Sequence, residues 1–224
     1  MTTKSAWMSL LTALLRTNDV EWLTEIDPLI RAENKLVVNQ VARRAGVPVP
    51  STVVTNSFDA LRVLHGPQLL AKPLGPGHFI DRGEAYNVFA HALDRAEFAD
   101  GSLVEAPFLI QELLQAQGHY RVVTVRQRTW GAYLRADGYP VDWRSAARAH
   151  SAFKSVTLPD ELARQALTIS SALDLGFTSQ DWIDTGDRIE LLDVNPAGQW
   201  LFLPEDVGNA VSTEIANWLE RNYE

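Results

Sequence analysis

The sequence predicts an α+β fold, antiparallel sheets with flanking helices, on three observations. Residues 120–125 with 129–134, and 178–183 with 190–195, read as hairpins with alternating exposure. Helical periodicity over 31–45, 159–173 and 207–220 falls between and after these hairpins rather than alternating with single strands. Finally, Gly75-Pro76-Gly77 matches neither a dinucleotide nor a Walker fingerprint, and its proline removes an anion-binding N–H.

In chain order, apolar spacing predicts a short amphipathic helix over 5–16, and Trp22, Leu23, Ile26, Leu29 and Ile30 form a second apolar patch. The helix over 31–45 is stopped by Gly46, Pro48 and Pro50. The β-branched run 51–55 is a strand, Asn56 to Asp59 cap a short helix through Leu64, and 68–73 is another strand. The turn Gly75-Pro76-Gly77-His78 breaks regular structure, while 83–94 fits strand and helix equally. Residues 107–114 form an apolar strand, and 155–157 add a short one after the first hairpin. Over 159–173, Leu162, Ala166, Ile169 and Leu173 mark one helix face, ended by Gly176. The second hairpin turns through Asp184-Thr185-Gly186-Asp187, and 207–220 closes the chain as an amphipathic helix.

With 224 residues and 46% hydrophobic content, the chain can bury a substantial core in one large domain or two small ones. No apolar run approaches the roughly 20 residues that span a bilayer, and no signal-like segment opens the sequence. A cytoplasmic address without membrane partners is therefore expected. The absence of cysteine excludes disulfides, thiolate metal sites and a cysteine nucleophile. A formal charge of -8 argues against a duplex nucleic-acid partner, although local arginines can still make a basic site.

The chemistry concentrates in a few places. Asp193 and Asn195 stand at i and i+2 of an apolar strand, so their oxygens share a face, and Asp181 lies on the partner strand. Three oxygen donors with room for water suit Mg²⁺ on substrate phosphates better than Zn²⁺. Lys72 closes the strand over 68–73 among apolar neighbours, and reads either as a group that meets an anion or as a snorkelling edge residue. Lys35, by itself, reads as a solvated helix position. The run Phe108 to Leu114 reads as a greasy slot for a flat base or as a plain edge strand. Arg121, Arg126, Arg128, Arg135, Arg144 and Arg148 cluster on and after the first hairpin, where guanidinium groups suit bidentate binding of phosphate or carboxylate. The five histidines show no metal-ligand spacing.

Taken in order, Lys35, Lys72, Gln111-Glu112, Arg121, Asp181 and Asp193-Val194-Asn195-Pro196 resemble the ATP-grasp superfamily of carboxylate ligases. Ala32-Glu33-Asn34-Lys35, the Pro48 to Thr52 run, Asp142-Trp143-Arg144 and Asn195 to Trp200 are similar to the ligases that macrocyclise microviridin-type peptides, the graspetides. This resemblance implies ATP and Mg²⁺ as cofactors. It implies Lys35 and Lys72 on the nucleotide phosphates, and Gln111, Glu112, Leu114 and Gln115 along the adenine and ribose. Asp181, Asp193 and Asn195 would hold the metal, and Arg121 and Arg144 would act at the transferred phosphate and the acid being activated. Position 193 carries Asp where that family usually has Glu, position 115 carries Gln where an acid is frequent, and His119 takes a place that is often acidic.

The implied architecture is residues 31–114 as the central ATP-grasp subdomain and 115–224 as the C-terminal subdomain with the metal site. Residues 1–30 are then a helical segment for partner contact. The family's preceding α/β domain is expected to be absent, because 34 residues precede Lys35. A homo-oligomer or a partner protein would complete the cleft, with Trp7, Leu10, Leu11, Leu14, Leu15 and Trp22 offering an apolar face. The implied activity is formation of ester or amide crosslinks from Asp or Glu side chains of a precursor peptide, through acyl phosphates, to Ser, Thr or Lys. The alternatives are ligation of an amino acid or small amine to a protein or metabolite carboxylate, and a nucleotide- or peptide-binding accessory protein without catalysis.

Overall fold

The protein is described by a computed structural model over residues 2–17, 19–75, 78–88, 90–95, 107–146 and 148–221. Three helices come first: α1 (Thr2–Leu14), α2 (Ile26–Ala32) and α3 (Lys35–Arg44). The single helix expected over 31–45 is split in two. Asn34 takes extended backbone, and its side-chain oxygen accepts the N–H groups of Leu36 and Val37 at 3.0 and 3.3 Å. That cap makes Lys35 the first residue of α3.

The chain then forms β1 (Thr52–Thr55), a 3-10 turn (Phe58–Val63), β2 (Gln68–Lys72), β3 (His78–Asp81), β4 (Glu84–Asn87), β5 (His91–Asp94) and β6 (Phe108–Glu112). Residues 84–87 and 91–94, which read either way in sequence, are strands. Pro76 and Gly77 of the expected turn lie outside the described residues. β1, β6, β2 and β5 pair in that order as an antiparallel sheet, while β3 and β4 pair separately.

A second antiparallel sheet, ordered β11-β10-β7-β8-β9, contains both expected hairpins. Its strands are β7 (Gly118–Val125), β8 (Arg128–Arg135), β9 (Lys154–Val156), β10 (Phe177–Asp184) and β11 (Ile189–Asn195), with α4 (Asp160–Ala172) and α5 (Glu205–Arg221) beside them.

The two-residue period of β7 divides the core. Val122 joins Trp182 and Leu191 in a cluster with Val38, Val41 and Ala42 of α3 and Leu162, Ala166 and Ile169 of α4. Val123 and Val125 turn to the opposite face, toward Trp143, Phe153, Phe177 and α5 residues Val207 and Val211. The helix that carries Lys35 thus shares its core with the five-stranded sheet, and truncating Trp182 to Ala there would cost about 3–5 kcal/mol. A smaller cluster of Leu61, Leu64, Leu69, Ala71 and Ile110 holds the four-stranded sheet.

Polar groups inside the α4 face are paired. Gln180 Nε2 donates to Ala166 O, Ser170 Oγ and Thr178 Oγ1, and Gln180 Oε1 accepts Trp182 Nε1–H at 2.9 Å. At the sheet's far end Thr24 Oγ1 accepts the N–H groups of Gly176 and Phe177 at 3.0 and 3.1 Å. A Cβ at position 176 would lie 1.7 Å from Leu23 O, so only glycine admits this docking. Trp7, Leu10, Leu11 and Leu14 of α1 remain exposed. Among the described residues, no helix is long and apolar enough to cross a membrane.

Candidate active site

The five-stranded sheet places three charged side chains in one row. Arg121 on β7 lies opposite Asp181 on β10, and Asp181 lies opposite Asp193 on β11. Past this row the register shifts: Trp182 pairs with Leu191, so Leu192 is the extra residue on β11. The irregularity lets Leu192 and Asp193, consecutive in sequence, both line the same cavity.

That cavity, about 260 Å³, is lined by Lys35, Lys72, Arg144, Asp181 and Asp193, with His119, Asp142 and Trp143. The α3 cap and the end of β2 bring the two lysines together, and Lys35 Nζ donates to Pro73 O, next to Lys72, at 3.3 Å. Burial pushes the Lys72 ammonium down to about 8; Lys35 and Arg144 add to this, while Asp193 and Asp181 oppose it. Burial also lifts the Asp193 carboxyl above its ordinary value, with Asp181 adding to the effect and Lys35, Lys72 and Arg144 opposing it. Cations and carboxylates here each stand among like charges, an arrangement that a ligand carrying both anionic oxygens and a divalent ion would relieve.

Arg144 is held by Asp142 through two parallel bonds, Nε to Oδ1 at 2.8 Å and Nη2 to Oδ2 at 2.7 Å. Asp142 is buried and also accepts the N–H groups of Arg144 and Ala90, at 3.2 and 3.3 Å. Burial raises the Asp142 carboxyl, but the hydrogen bonds and charge of Arg144 outweigh it and leave the group below its ordinary range. Asp142 also raises the Arg144 guanidinium further, so the arginine stays charged.

A second cavity of about 260 Å³ is lined by residues 111–116 with Pro50, Tyr139, Pro140 and Ile183. Gln111, Glu112, Leu114 and Gln115 therefore all border one slot. Gln111 Nε2 donates to Thr52 Oγ1 at 2.9 Å, and Glu112 Oε1 accepts the N–H of His65 at 3.2 Å. Leu70, His119, Val141 and Leu192 line both cavities, so the two adjoin.

Two expected site residues stand just outside the cavity wall. Arg121 Nη1 donates to Asp181 Oδ1 at 2.7 Å and its Nη2 donates to Gln199 O at 3.3 Å. Asn195, opposite Ser179, uses Oδ1 to accept the N–H of Ala197 at 3.0 Å. Sequence reasoning passed over Asp142 as the support of Arg144, and read His119 only as standing where an acid is frequent, not as lining both cavities. The available signal for His119 was its place two residues before Arg121 on one strand face.

Among the described residues, no three His, Asp or Glu side chains are grouped to hold a metal. The carboxylates of Asp181 and Asp193 lie opposite each other across β10 and β11 on the cavity, while the Asn195 amide, two residues further on, stands outside its wall. Hard oxygen donors that leave positions for water and phosphate fit Mg²⁺.

Two antiparallel sheets flanked by helices, with lysines, an arginine and carboxylates on one cavity, match the ATP-grasp fold in solved structures. The Chryseobacterium gregarium RiPP-associated ATP-grasp ligase, solved with ADP and a leader and core peptide, matches at TM-score 0.80 and 18% identity, over 90% of this chain and 62% of that one. The ATP-grasp ligase PsnB with a phosphomimetic variant of its minimal precursor, Mg and ADP matches at TM-score 0.65 and 21% identity, over 87% and 61%. The macrocyclase MdnB from Microcystis aeruginosa MRC matches at TM-score 0.65 and 24% identity, over 98% and 68%. The chain spans 61 to 68% of the length of these three proteins. No protein-family model matches the sequence, and no curated protein does.

Proposed function

We propose that the chain is an ATP- and Mg²⁺-dependent carboxylate ligase that activates Asp or Glu side chains of a ribosomal precursor peptide and joins them to Ser or Thr hydroxyls or Lys amines. The observation that carries this reading is the convergence of Lys35, Lys72 and Arg144 with Asp181 and Asp193 on one cavity that adjoins a slot bordered by residues 111–116. Three cations beside paired carboxylates suit a triphosphate with its divalent ion, and the slot suits a flat base. The peptide and nucleotide complexes of the Chryseobacterium gregarium ligase and of PsnB support the reading through likeness of fold.

In this reading residues 31–114 and 115–224 are the central and C-terminal subdomains, and the cleft lies between them. Lys35 and Lys72 neutralise phosphate oxygens, while Gln111, Glu112, Leu114 and Gln115 border the base and sugar. Arg144, fixed by Asp142, faces the reacting phosphoryl group and acceptor carboxylate. Asp181, Asp193 and Asn195 hold Mg²⁺, which when bound offsets phosphate charge. Arg121 fixes Asp181. A substrate carboxylate oxygen takes the γ-phosphoryl group as ADP leaves; a hydroxyl or amine then attacks the acyl carbon, gives up its proton and expels phosphate.

Incubation with ATP, Mg²⁺ and a Thr-, Ser-, Asp- and Glu-rich peptide encoded beside this chain is expected to release ADP and remove one water mass per linkage. Lys72→Ala and Asp193→Ala should abolish both signals while the fold is retained. Product formation by both variants at the wild-type rate overturns the reading.

A further inference from the structure

Two apolar surfaces lie outside the candidate active site, one a helix and one a groove. On α1, Lys4, Trp7, Leu11 and Leu14 recur at helical spacing and form one stripe, with Leu10 along its edge. Trp7 is 67% exposed and Leu14 56%. A helix of this length is marginal in water by itself, so α1 gains stability from any surface that covers the stripe. The groove arises at the edge of the five-stranded sheet. β9 pairs with β8 over Gly131 to Tyr133, and past Val156 the chain turns away toward α4 instead of pairing with Thr129 and Trp130. This leaves a cavity of about 440 Å³ lined by Trp130 and Gly131 of β8, Leu158, Ala163 of α4, and Val207 and Ala210 of α5. It shares no lining residue with the two cavities of the candidate site.

We infer that this groove receives α1 of a second copy of the chain, in a two-fold dimer whose copies exchange their first helices. Charge is the first argument. Among the described residues the groove lining holds one charged side chain, Asp206, and α1 holds one, Lys4, of opposite sign. Lys4 stands one turn before Trp7 on the stripe, so a helix seated through Trp7 and Leu11 carries the ammonium along the same face to the acid. The second argument is direction. Arg16, just past α1, forks onto Asp27 of α2, through Nε at 3.2 Å and through Nη2, and this pair holds the helix with its stripe exposed. Folding α1 back onto its own chain would break that fork. The third is placement. Thr24 docks on Gly176 and Phe177, and Glu21 meets Arg126 at 3.9 Å, at the sheet end where β8 begins. The root of α1 and the groove thus share one end of the sheet, so a two-fold axis beside it delivers each helix to the other copy and closes the assembly at two. The inference stands apart from the ligase reading.

The test is sedimentation velocity of the full chain, with thermal melting to confirm that each variant folds. The wild type is expected to sediment as a dimer of its 24.9 kDa chain. Leu11→Asp on the helix and Ala210→Asp in the groove should each raise the dimer dissociation constant about 30-fold or more, the scale of a lost anchor. Lys4→Glu and Asp206→Lys should each weaken pairing about 2–5-fold, and the two together should restore it. Because the chain has no cysteine, Leu11→Cys combined with Ala210→Cys reports the pairing directly on oxidation. A disulfide-linked dimer on a non-reducing gel supports the exchange, whereas a disulfide within one chain places α1 in its own groove and overturns it. A monomeric wild type, or a dimer that survives in folded Leu11→Asp and Ala210→Asp, overturns it as well.

Discussion

Arg121 donates from Nη1 to Asp181 Oδ1 at 2.7 Å across β7 and β10, with only 9% and 15% of the two side chains exposed. The same guanidinium reaches Gln199 O through Nη2 at 3.3 Å and sits 5.7 Å from the Phe202 ring centroid. One side chain thus ties the central strands to the turn that follows β11, and an ammonium cannot make both bonds in that planar geometry. Removing one partner of a buried pair leaves the other charge uncompensated. Arg121→Ala should therefore lose about 3 kcal/mol in urea unfolding, and Arg121→Lys should recover less than half of it. A loss no greater than that of an exposed pair, about 0.5 kcal/mol, would show that Asp181 does not depend on Arg121.

The turn after β11 is also set by a close approach. A Cβ on Gly198 would lie 2.6 Å from Ser179 Cβ, and 3.1 Å from both Arg121 Nη2 and Asn195 Cβ. Gly198→Ala should cost about 1–3 kcal/mol by overpacking and weaken Mg²⁺ binding by displacing Asn195. Ser179 Oγ has no partner among the described residues, so trimming Ser179 strands no hydrogen bond. Adding Ser179→Gly should then recover part of the Gly198→Ala loss in melting temperature. Strict additivity of the two changes would mean that the Ser179 contact does not set the turn.

The hairpins and long helices were readable in sequence because their periods are local. The predicted helix over 159–173 is observed at Asp160–Ala172, and the one over 207–220 at Glu205–Arg221. The split at Asn34 was hidden because a capping Asn inside a helical pattern looks like any polar position until its backbone leaves the helix. The pairing of β2 with β6 joins segments far apart in the chain, which no local pattern records. Among the candidate site residues, Lys72 and Asp193 stood out as charges in apolar strands. Leu192 did not, since a leucine reads as core whether it faces a helix or, through a register shift, a cleft. His119 was legible only as a departure from an often acidic place, because one histidine on a strand carries no spacing to interpret.

Asp142 and Arg144 are expected to act as a unit. Their two bonds at 2.7 and 2.8 Å fix the guanidinium on the cleft wall, and Asp142 is the more deeply buried partner. Removing a preorganised cationic contact to a developing charge lowers turnover about 10²-fold, which is the expected loss for Arg144→Ala in an ADP-release assay. Asp142→Asn keeps the shape but weakens the fork, and should lose about tenfold through misplacement of Arg144. The double variant should be no worse than Arg144→Ala alone. Multiplicative losses would separate the two residues and deny Asp142 its positioning part.

Lys72 gives the site a distinct dependence on pH. Its ammonium titrates near 8 in the free protein, chiefly because burial disfavours the charge. Bound phosphates would favour the charged form, so above about pH 8 nucleotide binding must take up a proton. At pH 9 about a tenth of the lysine is protonated and at pH 7 about nine tenths, which predicts roughly tenfold weaker ATP binding at the higher pH. Folding responds in the opposite sense. The unfolded chain holds this proton up to its ordinary value of 10.5, so between about 8 and 10.5 the Lys72 contribution to stability rises with pH. Weaker binding at pH 9 therefore does not report loss of fold through this group. Lys72→Arg keeps its charge throughout, so its ATP affinity should change little between pH 7 and 9. Calorimetric titrations at both pH values, in two buffers of different ionisation enthalpy, measure affinity and proton uptake together. Equal pH dependence in the wild type and Lys72→Arg would assign the effect to another group and remove Lys72 from the phosphate contacts.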